Sequence, residues 1–333
     1  MSSGVPPAAG AVPDADAPVV RVVAVTYSPG PALERFLGSL ALASARPMEV
    51  VLADNGSTDG VPQDVAARGG VRLLHTGANL GYGRAGNVGA HGASTPWLVV
   101  ANPDVEWSAG SLDALLAAGE RWPRAGALGP AIRTPAGALY PSARAVPSLG
   151  RGIGHALLGW WWPANPWTSA YRRERGAPVE GPTGWLSGSC LVLRREAFEA
   201  VGGFDPAYFM YFEDLDLCER LAAAGWSSVY VPSAVVTHTG GHATVREPAR
   251  MLAAHHRSAF RYLARRYAGP AYLPLRLVLA VGLAARYLAG RLHHRVAEGA
   301  QPTRSADLLL PAASGPVAPA PAVAGPAPDA SED

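Results

Sequence analysis

The sequence predicts an α/β fold, a mixed and mostly parallel sheet flanked by helices, with a C-terminal helical extension. Three observations predict it. Short β-branched runs alternate with amphipathic segments from Val19 to Trp122. Acidic residues fall where those runs stop, the place where open α/β sheets bind ligands. Two helical segments then close the ordered chain.

The first run, VVRVVAVTY (Val19 to Tyr27), is nearly continuous and suits a buried parallel strand. Ser28, Pro29 and Gly30 break it. PALERFLGSLALAS reads as a helix with Leu33, Phe36, Leu37 and Leu40 on one face. MEVVLADNG is a second strand ending at Asp54, VRLLHT a third, and TPWLVVANPD a fourth ending at Asp104. SLDALLAAGERW is a helix. Residues 125–190 are rich in Gly, Pro and Trp, with strand-like pieces at Gly126 to Pro130 and Cys190 to Arg194. A helix is expected from near Glu213, since Leu217 and Leu221 share a face. SSVYVP (227–232) is a strand, and residues 249–267 and 271–296 are helices. The boundaries expected are a disordered tail at 1–18, a domain at 19–245, a helical segment at 246–300 and a Pro/Ala-rich disordered tail at 301–333.

Composition excludes several functions. Of 333 residues, 49% are hydrophobic and 16% charged, enough apolar material for a full core. A net charge of +2 is too small for a nucleic-acid coat, so no nucleic-acid partner is expected. All 28 basic residues are Arg, which removes a catalytic lysine, a Schiff base and a GxxxxGK phosphate loop. Cys190 and Cys218 have neither the spacing nor the partners of a zinc site or disulfide scaffold, and read as core residues. No basic n-region or apolar h-region opens the chain. The longest charge-free apolar stretch near the C-terminus, Leu277 to Ala285, has 9 residues against the roughly 20 of a spanning helix. The expectation is a cytoplasmic protein without a transmembrane segment.

One motif misleads. Gly81, Gly83 and Gly86 form a GxGxxG with Asp104 about 20 residues beyond, the pattern of a dinucleotide site. The polar stretch His75-Thr76-Gly77-Ala78-Asn79 separates these glycines from the preceding strand, and two βα units come before them. The dinucleotide reading is therefore rejected.

Four features carry chemistry: DNGSTDG after the second strand, ANPDV with Asp104, YFEDLDL with Glu213, Asp214 and Asp216 at a helix start, and THTGGHAT with His238 and His242. Singly, each has a structural use. Asp, Asn and Ser make turns and caps, and acids in a first helical turn complement the helix dipole. Their combination and order are more specific than any member.

Together with AVTYSPGPALERFLGSL, NLGYGRAGN, GWLSGSCLVLRREAF and VGGFDPAYFMYFEDLDLCERL, these features resemble the inverting family-2 glycosyltransferases of GT-A (Rossmann-like, nucleotide-sugar-binding) fold, over residues 20–245. TGANLGYG, RWPRAGALGP, YPSAR, NPWTSAYR and AAHHRS are similar to the actinobacterial rhamnosyltransferases of the cell-wall linkage unit. That resemblance implies transfer of L-rhamnose from dTDP-L-rhamnose to a polyprenyl-diphospho-N-acetylglucosamine acceptor. It leaves open a related enzyme using another nucleotide sugar, and a catalytically silent sugar-nucleotide-binding protein.

The resemblance also implies residue roles. Asp104 matches the last acid of the DxD metal motif and His238 the late metal-binding histidine, with His242 as substitute; Mg²⁺ or Mn²⁺ is the implied cofactor. Asn102 stands where the first acid often does, which removes a negative charge. Thr26, Asp54, Asn79, Gly81 and Asn87 match nucleotide-binding positions, Asp54 against the base and the glycines against phosphate. Asp214 matches the general base, with Glu213 in support and Asp216 directed at the acceptor or a loop. A helix N-terminus would depress the Asp214 pKa; a late proton transfer in an oxocarbenium-like transition state makes a strong base unnecessary. Gly188 and Ser189 match an acceptor-side loop. Trp185 is either a platform for a sugar face or a packed core residue. Arg257, Arg261 and Arg265 recur every four residues, a stripe for lipid diphosphate or the cytoplasmic membrane surface, so peripheral association with the inner face of the cell membrane is expected. A homodimer is left open.

Overall fold

The computed structural model describes residues 17–146, 178–240 and 247–298. The tails at 1–16 and 299–333, the segment NPWTSAYR and His242 lie outside the described residues.

The N-terminal half is a run of βα units. β1 (Val20–Thr26) is wholly buried and lies between β2 (Met48–Asp54) and β4 (Trp97–Ala101), parallel to both. β3 (Arg72–His75) extends the sheet beyond β2. The helices between them are α1 (Ala32–Ala43), α2 (Val61–Ala67) and α3 (Tyr82–Ala90). The predicted face of α1 is right: Leu33, Phe36 and Leu40 are buried against the sheet, and Leu37 packs at its margin. Each such side chain contributes about 1.5–3 kcal/mol of burial.

Beyond β4 the chain adds β5 (Val105–Trp107), α4 (Ser111–Arg121), β6 (Ala125–Arg133), β7 (Leu139–Tyr140), β8 (Ala143–Arg144), β9 (Gly181–Thr183), β10 (Trp185–Leu186) and β11 (Cys190–Arg194). α5 (Arg195–Ala200), α6 (Glu213–Ala223) and β12 (Ser227–His238) follow. The main sheet runs β3-β2-β1-β4-β11-β6-β12-β5. β11 is antiparallel to both β4 and β6, whereas β6 and β12 are parallel, so the sheet is mixed and mostly parallel as expected.

Two strand boundaries differ from the sequence reading. β4 stops at Ala101, and Asp104 sits in the turn into β5, because Val105 pairs with His238 rather than continuing β4. β12 runs through to His238, so that histidine ends a strand instead of lying in a loop.

Two helices close the described chain: α7 (Pro248–Arg266) and, after a tight turn at Pro270–Tyr272, α8 (Leu273–Glu298). The expectation that nothing here could span a membrane needs correction. Pro270–Leu288 is 19 residues of mean hydropathy 1.4 with none of it buried, long and apolar enough to cross by length and composition. Counting only the charge-free run missed it, because the window tolerates Arg276 and Arg286.

Candidate active site

The topology brings distant segments to one edge of the sheet. Thr26 pairs with Asp54 across β1 and β2, and Ala101 at the end of β4 pairs with Cys190 at the start of β11. The β10–β11 loop therefore meets the turn after β4, and Asn102 donates its N–H to the Ser189 carbonyl at 2.9 Å. The end of β12 lies beside the start of β5.

On the β1–β2 side, Asp54 is buried and its two oxygens are occupied by this chain's own donors. Oδ1 accepts from the Thr26 hydroxyl at 3.2 Å and the Ser57 N–H at 3.1 Å. Oδ2 lies 3.2 Å from His75 Nδ1. Asn55, missed in the sequence, is a second organiser. Its side-chain amide donates to Asn79 Oδ1 at 3.0 Å, and its Oδ1 accepts from the Leu80 N–H at 2.8 Å.

The glycine motif has a packing cause. A Cβ on Gly81 would lie 2.0 Å from the Phe209 carbonyl oxygen, one on Gly83 2.8 Å from Phe204 Cβ, and one on Gly86 3.1 Å from Val100. The glycines let α3 approach the sheet and the 204–209 loop, so the close backbone approach expected toward phosphate is an approach to protein instead. Asn87 is likewise committed: its amide donates to the Phe204 carbonyl at 2.8 Å, and its Oδ1 accepts from the Phe204 N–H at 2.9 Å.

The second cluster lies at the β4–β5 turn. His238 Nε2 is 3.1 Å from Asp104 Oδ1 and 3.0 Å from Asn102 Nδ2. Asp104 Oδ2 accepts the Gly240 N–H at 2.9 Å. Burial opposes the Asp104 charge, but the His238 ring and the Gly240 amide outweigh it, and the net pKa shift is downward. Among the described residues no third His, Cys, Asp or Glu joins this pair.

The third cluster is the start of α6. Tyr211 and Phe212 both have left-handed backbones, φ 67° and 68°. Such conformations cost non-glycine residues on the order of 1–2 kcal/mol each. They turn the chain so that Glu213 is buried and Asp214, half-buried, meets the Gly188 loop. Asp214 Oδ2 accepts the Gly188 N–H at 2.8 Å, and Oδ1 accepts the Leu215 N–H at 2.8 Å. Tyr82, at the start of α3, donates its hydroxyl to the Gly188 carbonyl at 2.5 Å. The position of Asp214 is thus fixed from α3 through the Gly188 loop.

The electrostatics of Asp214 differ from the sequence reading. Burial raises its pKa, and the Gly188 and Leu215 amides only partly offset that rise. Desolvation outweighs the helix N-terminus, although Asp214 is half-buried and not sealed from solvent. Glu213 is also raised, first by burial and then by Asp214 beside it, and its Oε2 has no hydrogen-bond partner among the described residues.

Asp216 turns toward α7 rather than toward a loop. It is buried and ion-paired with Arg220 at 2.7 Å and Arg265 at 2.8 Å. The arginine stripe needs the same correction. Arg261 and Arg265 both bind Asp205 at 2.9 Å, which fastens α7 to the 204–209 loop, and Arg257 alone of the three makes no such ion pair among the described residues. Trp185 is half-buried, with Arg144 over its ring at 5.2 Å and its indole N–H unpartnered among the described residues. Ser189 is half-buried, with its hydroxyl 3.2 Å from that of Ser187. Arg144, within YPSAR, was not singled out from sequence; it exerts a charge effect on Asp214.

Comparison with known proteins agrees with this architecture. Residues 21–202 match the family described as Glycosyl transferase family 2, and residues 171–262 match Glycosyltransferase like family 2. The N-acetylglucosaminyl-diphospho-decaprenol L-rhamnosyltransferase of Mycobacterium tuberculosis is 61% identical over 280 residues, 80% of this chain and 91% of that protein. Rhamnosyltransferase WbbL of Escherichia coli is 43% identical over 82 residues, 25% of this chain and 31% of that one. A mannosyltransferase of Pyrobaculum calidifontis, solved with GDP-Man and Mn2+, shares the fold at a TM-score of 0.50 and 20% identity, over 86% of this chain and 76% of that one. With a family match across more than half its length and a relative 61% identical over 80% of it, the chain belongs to glycosyl transferase family 2.

Proposed function

We propose that this glycosyltransferase moves L-rhamnose from dTDP-L-rhamnose to polyprenyl-diphospho-N-acetylglucosamine, with inversion, in building the arabinogalactan linkage unit of the cell wall. The observation that carries the substrate assignment is the 61% identity to the mycobacterial rhamnosyltransferase over 80% of the chain. The residues supply a matching chemistry.

Asp214 is the general base. Its carboxylate is half-buried and fixed by the Gly188 amide, and its raised pKa strengthens it as a proton acceptor. It takes the proton of the acceptor hydroxyl as that oxygen attacks the anomeric carbon opposite the diphosphate. A β-linked donor then gives an α-rhamnoside. Glu213, unpartnered at Oε2 among the described residues, holds its proton through its own burial and the Asp214 carboxylate beside it, which leaves Asp214 as the charged member of the pair. Thr26, Asp54 and Asn79 shape the wall at the ends of β1 and β2 where the nucleoside sits, and Gly188, Ser189 and Trp185 line the acceptor side.

The Asp104–His238–Asn102 cluster fits a divalent cation by its donor chemistry, since one imidazole nitrogen and one carboxylate oxygen face each other beside an amide. Mg²⁺ or Mn²⁺ held by Asp104 and His238 would neutralise the charge that develops on the departing dTDP. Asn102 contributes no charge, which leaves Asp104 as the anionic donor of the set. The acceptor is lipid-linked, so the enzyme works at the cytoplasmic membrane surface.

The test is transfer from dTDP-L-rhamnose, UDP-sugars and GDP-sugars to a short-chain polyprenyl-diphospho-N-acetylglucosamine, read by mass spectrometry. One deoxyhexose gained from the dTDP donor and lost with EDTA is the expected result. Transfer from a UDP- or GDP-sugar alone would replace the donor assignment, and silence with every donor would favour a binding protein.

A further inference from the structure

The exposed apolar surface is concentrated on one element. Of the ten large hydrophobic residues found exposed among the described residues, seven lie between Phe260 and Leu288. On α8, Leu277 is 67% exposed and Val278 68%. At 100° per residue, Leu273, Leu277, Val278, Val281 and Leu288 fall within an arc of roughly 140° that holds no charged residue between positions 273 and 288; Arg291 and Arg295, further along the helix, return to it by position. A soluble helix rarely leaves so continuous an apolar face to water.

The charge around this face has one sign. Residues 248–297 contain nine arginines and no aspartate or glutamate. Arg250, Arg261, Arg265 and Arg266 are paired with acids elsewhere in the chain. Arg257 and Arg286 are exposed, and no acid pairs with either among the described residues. An apolar face flanked by unpaired arginines is complementary to an anionic bilayer, whose acyl region takes the former and whose phosphates take the latter.

The packing of α8 decides how it meets that bilayer. α8 lies lengthwise against α7: a Cβ on Gly290 would meet Leu252 at 3.0 Å, and the Tyr287 and His256 rings are 6.0 Å apart. Between the two helices is a cavity of about 310 Å³, walled by Phe260, Leu283 and Tyr287 with Arg257 at its lining. α7 is in turn fixed to the catalytic body, through Arg261 and Arg265 and through the Ser258 hydroxyl, which donates to the Met210 carbonyl at 2.8 Å. A membrane-crossing α8 would carry α7 and its ion-paired arginines into hydrocarbon, a costly outcome. We infer that α8 lies in the plane of an anionic phospholipid bilayer, its Leu273–Leu288 face inserted, as the docking element of the enzyme.

The other face of α7 reaches the catalytic loop. His255 packs edge-on to Tyr211 at 5.3 Å and Phe212 at 5.6 Å, the two strained residues that precede Glu213 and Asp214. Docking therefore places the base one helix away from the lipid surface. This orientation has a purpose only if the acceptor is lipid-borne, and to that extent rests on the proposed function. The docking itself does not.

The experiment is sedimentation of the full-length protein, without substrate, with phosphatidylcholine vesicles and with mixed phosphatidylcholine–phosphatidylglycerol vesicles. The wild type should pellet with the mixed vesicles and be released by high salt or alkaline carbonate. Leu277→Glu/Val281→Glu should weaken binding roughly tenfold or more. Because both positions are exposed, it should keep wild-type circular dichroism and full activity on a water-soluble short-chain acceptor. Arg257→Gln/Arg286→Gln should lose the preference for phosphatidylglycerol. Unchanged binding of the Leu277→Glu/Val281→Glu variant, or no binding by the wild type, overturns the inference. Carbonate-resistant attachment in cells would mean a spanning helix and overturns it too. A wild-type dimer dispersed by the same variant, with no vesicle binding, would show that a second copy covers the face. Failure of sugar transfer alone leaves vesicle binding intact, so the two readings fail separately.

Discussion

Replacing Glu213 with Gln should stabilise the protein at neutral pH. Glu213 is 6% exposed, its Oε2 has no hydrogen-bond partner among the described residues, and half-buried Asp214 adjoins it. Burial first, and the neighbouring carboxylate second, raise its pKa in the folded state. Above the ordinary glutamate range the native state therefore keeps a proton that the unfolded chain has lost. With more protons bound to the native form, stability falls as pH rises, by up to about 1.4 kcal/mol per pH unit for each retained proton, and levels off above the raised pKa. A buried unpaired polar oxygen costs about 1–3 kcal/mol. Glutamine still buries an amide, so a net gain of about 1–2 kcal/mol is expected. At roughly 2–4 °C per kcal/mol for a domain of this size, Tm should rise by about 2–8 °C at pH 7.5 and hardly at all near pH 4. Thermal unfolding of both proteins across that range measures it. Equal or lower stability of the variant at neutral pH, or a pH-independent difference, would refute the reasoning.

Two further substitutions probe the supports of the site. In Gly188→Ala the new Cβ would meet Asp214 Cβ at 3.2 Å and its Oδ2 at 3.4 Å. Steady-state kinetics should show kcat reduced on the order of tenfold or more, with the KM for the nucleotide sugar nearly unchanged. Asp216→Ala removes the acid shared by Arg220 and Arg265. Urea unfolding should show a loss on the order of 1–2 kcal/mol, below that of a fully buried pair because the Arg265 side chain is half exposed.

The strands and the amphipathic helices were legible because their signal is local. The β-branched runs gave β1, β2 and β4, and the 3.6-residue period gave α1, α4 and α6. α3 was not legible as a helix, since YGRAGNVGA carries three glycines whose use is set by Phe204, Val100 and Val23 packing from elsewhere in the chain. The candidate site was legible as a set of motifs, and the motifs for Asp104, His238 and Asp214 do lie at one edge of the sheet. What each side chain does there was less legible. The arginine stripe of α7 looked free from its own sequence, but its partners Asp205 and Asp216 lie 49–60 residues away. The pKa of Asp214 was misjudged for the same reason: the helix dipole is visible in sequence, and burial is not.

The central claim is that Asp214 is the base of an inverting transfer. Its most direct test compares wild type with Asp214→Asn in rhamnosyl transfer, alongside dTDP-L-rhamnose affinity by calorimetry and product anomer by NMR. The account predicts an α-rhamnoside from the wild type, a loss of about 10²–10⁴-fold in kcat for the variant, and unchanged donor affinity. Near-wild-type turnover by Asp214→Asn, or a product of retained configuration, would contradict it.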